Sequence, residues 1–102
     1  MKWLTLEEIK RRVRIDYSDT LEDEDLIEMG MDAEEMVLND IGRTVEELVE
    51  EYGQVPRPLH TAALLLVAAS YQHREPVSQY NMSIVPYGYD KRVKPYMRLA
   101  DE

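Results

Sequence analysis

The chain alternates stretches of apolar residues at helical spacing with short polar or proline-containing connections, a pattern that predicts an all-α fold. The first predicted helix starts after Thr5, because the Thr5 hydroxyl and the Glu8 carboxylate match a capping box. Leu4 and Ile9 occupy the positions of a hydrophobic staple across this start. The predicted buried stripe is Leu6, Ile9 and Val13, and the predicted basic outer side is Lys10, Arg11, Arg12 and Arg14.

Two further helices are predicted in the middle of the chain. Three candidate N-cap residues precede the longer one, namely Ser18, Asp19 and Thr20. Its first turn is acidic, which the helix dipole favours, and its apolar positions recur from Leu26 to Ile41, where Gly42 is a natural stop. Thr44 and Glu47 repeat the capping-box pattern and predict a short helix that ends at Gly53.

The most apolar part of the chain is predicted to be a central core helix over residues 59–75, ended by Pro76. Residues 77–85 are predicted as a loop that includes an extended stretch at 82–85, and residues 86–99 as a short C-terminal helix interrupted near Pro95. The expected fold is therefore a small all-α bundle of about four to five helices around an apolar central helix, in a single domain over residues 1–102.

Charge is strongly segregated along the chain, whose formal net charge is -9. Residues 1–17 carry +2 (five bases, three acids), residues 18–53 carry -13 (one base, fourteen acids), and residues 54–102 carry +2 (six bases, four acids). Such a balance disfavours general affinity for nucleic-acid phosphates or anionic lipid and favours protein partners. The absence of cysteine, of a signal-peptide pattern and of a long apolar run predicts a soluble protein made in a reducing intracellular compartment.

The sequence offers no convergent catalytic or metal-binding set. The two histidines, His60 and His73, lack ligand partners at helical spacing, and the aspartates of residues 16–25 lack the glycine and glutamate of an EF-hand loop. Adjacent carboxylates such as Glu34 and Glu35 point about 100° apart on a helix and are interpreted as solvated surface. Phosphate-cradling glycine motifs are also absent. We therefore expect no enzyme activity, no cofactor and no metal.

A series of short motifs in a fixed order resembles the head-tail connector (head-completion adaptor) family of long-tailed double-stranded DNA phages and prophages. An opening motif is followed by an acidic-capped helix, a proline-led apolar helix, a late Val-Pro segment and a terminal Pro-Tyr-x-Arg. The matching residues are Leu6, Lys10, Arg14, Ile15 and Asp16, then Tyr71, Arg74 and Glu75, then Pro86, and finally Pro95, Tyr96 and Arg98. A cluster of Lys91, Arg92 and Lys94 departs from the more apolar pattern of the family.

The resemblance implies a structural subunit without an enzymatic step. Such a subunit joins a ring of about twelve copies under the portal at the virion neck, after synthesis in the bacterial host cytoplasm. Its partners are further copies of itself, the portal protein and a downstream head-completion or tail protein, while DNA passes through without specific binding during packaging and is then retained. The candidate structural or intersubunit residues are Tyr71, Arg74, Glu75, Arg14, Asp16, Tyr96 and Arg98.

Alternatives remain open for several of these features. Tyr71 and Arg74 are predicted to anchor the junction between the core helix and the following loop, and the Arg74–Glu75 region serves either an ordinary helix-end salt bridge or an intersubunit contact. The acidic middle either faces a basic terminus of a neighbouring copy or repels DNA phosphate from a channel wall. The rival class is a small acidic regulatory or inhibitory module that mimics nucleic-acid charge.

Overall fold

The computed structural model describes residues 1–16, 18–73 and 88–97, and these ranges contain helices and no strand. The helices are α1 (Leu6–Val13), α2 (Asp23–Ile41), α3 (Val45–Tyr52), α4 (Arg57–His73) and α5 (Tyr89–Val93), and a 3₁₀ turn (Lys94–Tyr96) follows α5. The predicted all-α fold is confirmed.

Both predicted capping boxes are present. The Glu8 backbone N–H donates to Thr5 Oγ1 at 3.1 Å and the Thr5 N–H donates to Glu8 Oε1 at 3.0 Å. Thr44 and Glu47 make the same reciprocal bonds at the start of α3. Gly42 closes α2 with a left-handed φ of 68°, a conformation that costs glycine little. These local signals set helix boundaries without help from the tertiary fold.

The predicted caps of α2 are wrong. The helix begins at Asp23, with Glu22 as an N-cap that makes no side-chain cap bond. Asp16 Oδ1 instead accepts from the Ser18 backbone N–H at 2.9 Å, and Asp19 Oδ1 accepts from the Leu21 N–H at 3.1 Å. Short acidic side chains that bond to the backbone two residues on form turns rather than caps, and this delays the start of the helix.

The core is built on α2 packed against α4, with α1 lying against both and α5 against α4. Most of the fully buried side chains come from α2 and α4: Leu26, Val37, Ile41, Leu59, Leu66, Val67 and Ser70, joined by Ile9, Leu48 and Val93. The predicted central role of α4 is confirmed for residues 57–73, although Leu65 and Ala68 on one side of the helix are only half-buried. Contact with other helices therefore covers only part of this apolar element.

The C-terminal helix is interrupted at proline as predicted, because α5 stops at Val93 and Pro95 lies inside the 3₁₀ turn. The Tyr89 hydroxyl donates to Asp40 Oδ2 at 2.5 Å and fastens α5 to α2. Burial raises the pKa of Tyr89, and the hydrogen bond and negative charge of Asp40 raise it further. The predicted loop at 77–85, its extended stretch at 82–85 and Pro76 lie outside the described residues.

Candidate assembly surfaces

A buried carboxylate fixes the N-terminal strap, which we define as residues 1–4. Glu34 Oε2 accepts the backbone N–H groups of Trp3 at 2.7 Å and Leu4 at 2.8 Å, and the Lys2 N–H lies 3.0 Å from both carboxylate oxygens. Glu34 is 4% exposed, so its interpretation as solvated surface is wrong. Its role is to replace water for three backbone donors that a chain terminus would otherwise leave unpaired.

Lys10 is also buried, which corrects its predicted place on the basic outer side of α1. Its ammonium lies 2.7 Å from Asp23 Oδ1 and donates to the Asp19 carbonyl at 2.7 Å. The side chain is 4% exposed, whereas Asp23 is 26% exposed. Lys10 therefore connects α1 to Asp19, in the turn before α2, and to Asp23, the first residue of α2.

The outer side of α2 carries a row of carboxylates, which we call the acidic face: Glu24, Asp25, Glu28, Asp32 and Glu35. At 100° per residue these positions fall within an arc of about 100°, opposite the buried side of the helix. None of the five forms a hydrogen bond or ion pair with another described residue. Met31 lies beside this row, about 20° outside the arc, and is 53% exposed.

Arg43, the single base of residues 18–53, does not neutralise that surface. Its Nη1 lies 2.7 Å from Glu51 Oε2, and its Nε donates to the Tyr96 carbonyl at 2.8 Å. The rings of Tyr52 and Tyr96 add an edge-to-face contact with centroids 5.5 Å apart. Arg43 thus joins α3 to the C-terminal 3₁₀ turn, on a different element from the acidic face.

A basic cleft of about 310 Å³ opens between α1 and the start of α4. We call it the arginine cleft; it is lined by Arg11, Arg12, Arg14 and Arg57, with Glu8 and Leu64. Arg11 and Arg57 are 74% and 78% exposed, and their contacts to Glu7 and Glu8 are long, at 3.3 and 3.6 Å. Such exposed pairs contribute little stability, so most of the positive charge remains available to a ligand or partner.

Glu8 connects this cleft to the core of the bundle. Its Oε2 lies 3.1 Å from His60 Nδ1, and His60 packs edge-on against Trp3. Burial opposes ionisation of Glu8, but the hydrogen bond and positive charge of His60, with hydrogen bonds from Thr5, outweigh it, and the pKa of Glu8 is lowered. His60 is therefore a structural partner of α1.

The lowered pKa of Glu8 predicts acid sensitivity. Because the folded carboxyl titrates below its ordinary value of 4.5, its stabilising effect is complete above that pH and is lost as the pH falls through the folded pKa. We expect the unfolding free energy of the wild type to fall more steeply between about pH 5 and 3 than that of Glu8→Gln, which keeps a capping-box side chain. Urea unfolding across this range measures the difference.

The matched control for this prediction is Glu7→Gln, because the Glu7 carboxylate is 63% exposed and forms only the long contact to Arg11. This variant should follow the wild-type pH dependence. Identical slopes for Glu8→Gln and the wild type would contradict the assignment.

The structure separates the residues singled out by motif order. Arg14, the one non-glycine residue with positive φ in the described ranges, ends α1 at φ 65° and lines the arginine cleft. The Asp16 carboxylate accepts hydrogen bonds from the Ser18 backbone N–H and hydroxyl. These bonds, together with the positive charge of Lys10, lower the pKa of Asp16. Tyr96 lines a second cleft with Arg57, Lys91 and Arg92, so Arg57 connects the two basic clefts.

Tyr71 lies apart from these clefts. Its hydroxyl donates to Glu22 Oε2 at 2.6 Å and connects the end of α4 to the start of α2. Arg74, Glu75 and Arg98 lie outside the described residues, as does the side chain of His73. Their assignment as intersubunit residues, and the anchoring of the following loop by Tyr71 and Arg74, stay predictions.

Sequence reasoning missed the roles of three residues, Lys10, Glu34 and Arg57. Lys10 shares the stripe of Leu6 and Val13, and Glu34 shares that of Ala33 and Val37, so helical spacing already placed both on buried faces. Arg57 carries no such signal, because only the fold brings the start of α4 beside the end of α1.

Within residues 1–16, 18–73 and 88–97 no three histidines or carboxylates cluster in a way that would hold a metal ion. Among the same residues, no helix has the length and apolar character to span a membrane. What the described surface offers is a carboxylate-rich helix face and an arginine-lined cleft on one small subunit.

The described residues form a small helical bundle with an acidic helix face and an arginine-lined cleft. The sequence profile of the phage gp6-like head-tail connector protein family matches residues 4–97, and the chain belongs to this family. The connector role indicated by the ordered motifs is thereby confirmed. No curated protein and no solved structure shows significant similarity to the chain.

Proposed function

We propose that this chain is the single-domain subunit of a ring adaptor between the portal and the tail side of a phage particle. The ring continues the channel through which DNA enters and is then retained, and the chain acts without catalysis. Family membership over residues 4–97 is the observation that carries this proposal.

The surfaces support a ring. In a cyclic assembly each subunit offers one face to its neighbour on one side and a different face to its neighbour on the other. The acidic face and the arginine cleft are two such surfaces, on different elements and of opposite charge. A charge-mimicking inhibitor would need the acidic face alone, so the family match together with the cleft favours the connector.

The proposal is tested by mixing the purified protein with the portal ring of the same phage. Native mass spectrometry and negative-stain electron microscopy should show several copies of the chain stacked as a closed ring on one end of the portal. A portal ring from an unrelated phage is the control and should bind none. Protein that stays monomeric beside its own portal ring would overturn the proposed function.

A further inference from the structure

The two charged surfaces cannot neutralise each other within one subunit. Buried residues such as Leu26, Ala33 and Val37 turn one side of α2 toward the core, and α1 and α4 pack against α2. The acidic face is on the opposite side of α2, while the arginine cleft is formed by α1 and α4 themselves. Accordingly, no ion pair among the described residues joins the cleft arginines to the acidic face.

The surfaces also match in the arrangement of apolar and charged groups. In the cleft, the arginines and Glu8 share the lining with Leu64, which is 7% exposed. On α2, the half-exposed Met31 lies one helical turn from both Glu28 and Glu35. Each surface therefore places charged groups beside an apolar side chain, and protein interfaces combine both kinds of group. The planar guanidinium groups suit bidentate binding of carboxylates.

We propose that the arginine cleft of one copy binds the acidic face of α2 of the next copy, with Met31 packing toward Leu64 among the paired charges. This inference rests on the proposed ring and names the contact that closes it. The contact is heterologous, so it repeats around the ring in one direction. Contacts between two acidic faces or two clefts are repulsive, which disfavours wrong pairings.

A second copy explains the cleft better than nucleic acid does. Arginines also bind phosphate, but the subunit carries a net charge of -9, and the acidic face would repel a polyanion. A partner that brings carboxylates beside an apolar side chain suits the arginine-lined cleft.

Charge reversal separates this contact from general charge effects. The cleft variant carries Arg12→Glu and Arg14→Glu, and the face variant carries Glu28→Arg and Glu35→Arg; all four positions are exposed.

Each test variant has a matched control. The control for the cleft variant is Lys2→Glu with Lys94→Glu, neither of which lines the cleft, and the control for the face variant is Glu46→Arg with Glu50→Arg on α3. Circular dichroism and thermal unfolding verify that each variant folds like the wild type.

Ring formation on the cognate portal is then titrated for every protein by native mass spectrometry. We expect the cleft and face variants each to need about tenfold more protein, or more, for half-maximal assembly, and both controls to stay within about twofold of the wild type. The fourfold variant, which reverses both surfaces, should recover assembly. Raising salt from 0.1 to 1 M, which shortens the Debye length from about 10 to about 3 Å, should weaken wild-type assembly.

The outcomes distinguish this contact from the ring itself. If the wild type forms rings and both reversal variants do so equally well, the contact is overturned while the proposed function stands. If the wild type forms no ring on its portal, the proposed function fails first. Binding of duplex DNA that depends on Arg12 and Arg14, with ring formation unchanged in the cleft variant, would assign the cleft to nucleic acid and overturn the contact.

Discussion

Replacement of Glu34 by alanine is expected to lower the free energy of unfolding by about 3 kcal/mol. The substitution removes the acceptor of three backbone N–H groups in the N-terminal strap, and the Leu4 N–H is buried. Hydrogen bonds to a charged group contribute more than neutral ones, and a buried donor left unpaired is costly. If the strap detaches instead, the free energy of unfolding falls further, because the Leu4 side chain, which is 4% exposed in the folded chain, is no longer buried.

Two readouts test this prediction. Urea unfolding followed by circular dichroism gives the change in free energy, and the fluorescence of Trp3, the only tryptophan, reports whether the strap has detached. Glu34→Gln keeps one acceptor oxygen and should lose about half as much. The neighbouring exposed carboxylate provides the control, since Glu35→Ala should change stability by no more than about 0.5 kcal/mol. A similar small change for Glu34→Ala would show that the carboxylate does not hold the strap.

The helix pattern was predictable because its determinants are local. A capping box such as that of Thr44 and Glu47 requires residues three apart, and the left-handed stop at Gly42 requires one residue. The start of α2 was predicted wrongly for a physical reason: the candidate cap Asp19 accepts from the Leu21 N–H in a turn, and Asp16 accepts from the Ser18 N–H just before it. In this turn the Asp19 carbonyl also accepts from the Lys10 ammonium of another helix, a contact that the local sequence does not show.

The buried charges were missed because residue type was given more weight than position in the helical repeat. A lysine or glutamate is ordinarily exposed, yet Lys10 and Glu34 occupy positions in apolar stripes and are satisfied by partners that the fold supplies. Gly30 is another residue whose reason lies in the tertiary packing. A Cβ there would lie 2.4 Å from Met1 Sδ and 2.7 Å from Ile9 Cδ1. The packing of Met1 and Ile9 against α2 thus leaves little room for a side chain at this position.

Of the two candidate surfaces, the sequence reveals the acidic face but not the arginine cleft. The acidic face is visible in the sequence as a run of carboxylates within one predicted helix, because helical spacing alone places them together. The arginine cleft is not, since it joins the end of α1 to the start of α4 through a contact between distant parts of the chain. The charge segregation in the sequence thus predicts binding to protein partners, whereas the position of the basic surface can be seen only in the folded structure.

Lys10→Met is expected to lower the unfolding free energy by about 3 kcal/mol, although methionine preserves most of the apolar stem. The substitution leaves the Asp23 carboxylate and the Asp19 carbonyl without the ammonium that both contact at 2.7 Å. Removing one partner of a largely buried ion pair is costly because the remaining charge stays poorly solvated. Asp23 is 26% exposed, so water recovers part of its solvation and the loss falls near the lower end of the usual range.

A double-mutant cycle measured by urea unfolding isolates this pair. Asp23→Ala should be less costly than Lys10→Met, and the double variant should lose less than the sum of the two, with a coupling of about 1 to 2 kcal/mol. Arg11→Met is the matched control on the same helix, because the Arg11–Glu7 pair is 3.3 Å long and exposed, and its loss should be about 0.5 kcal/mol or less. Strict additivity of the Lys10 and Asp23 substitutions would show that the Lys10–Asp23 ion pair does not join α1 to α2.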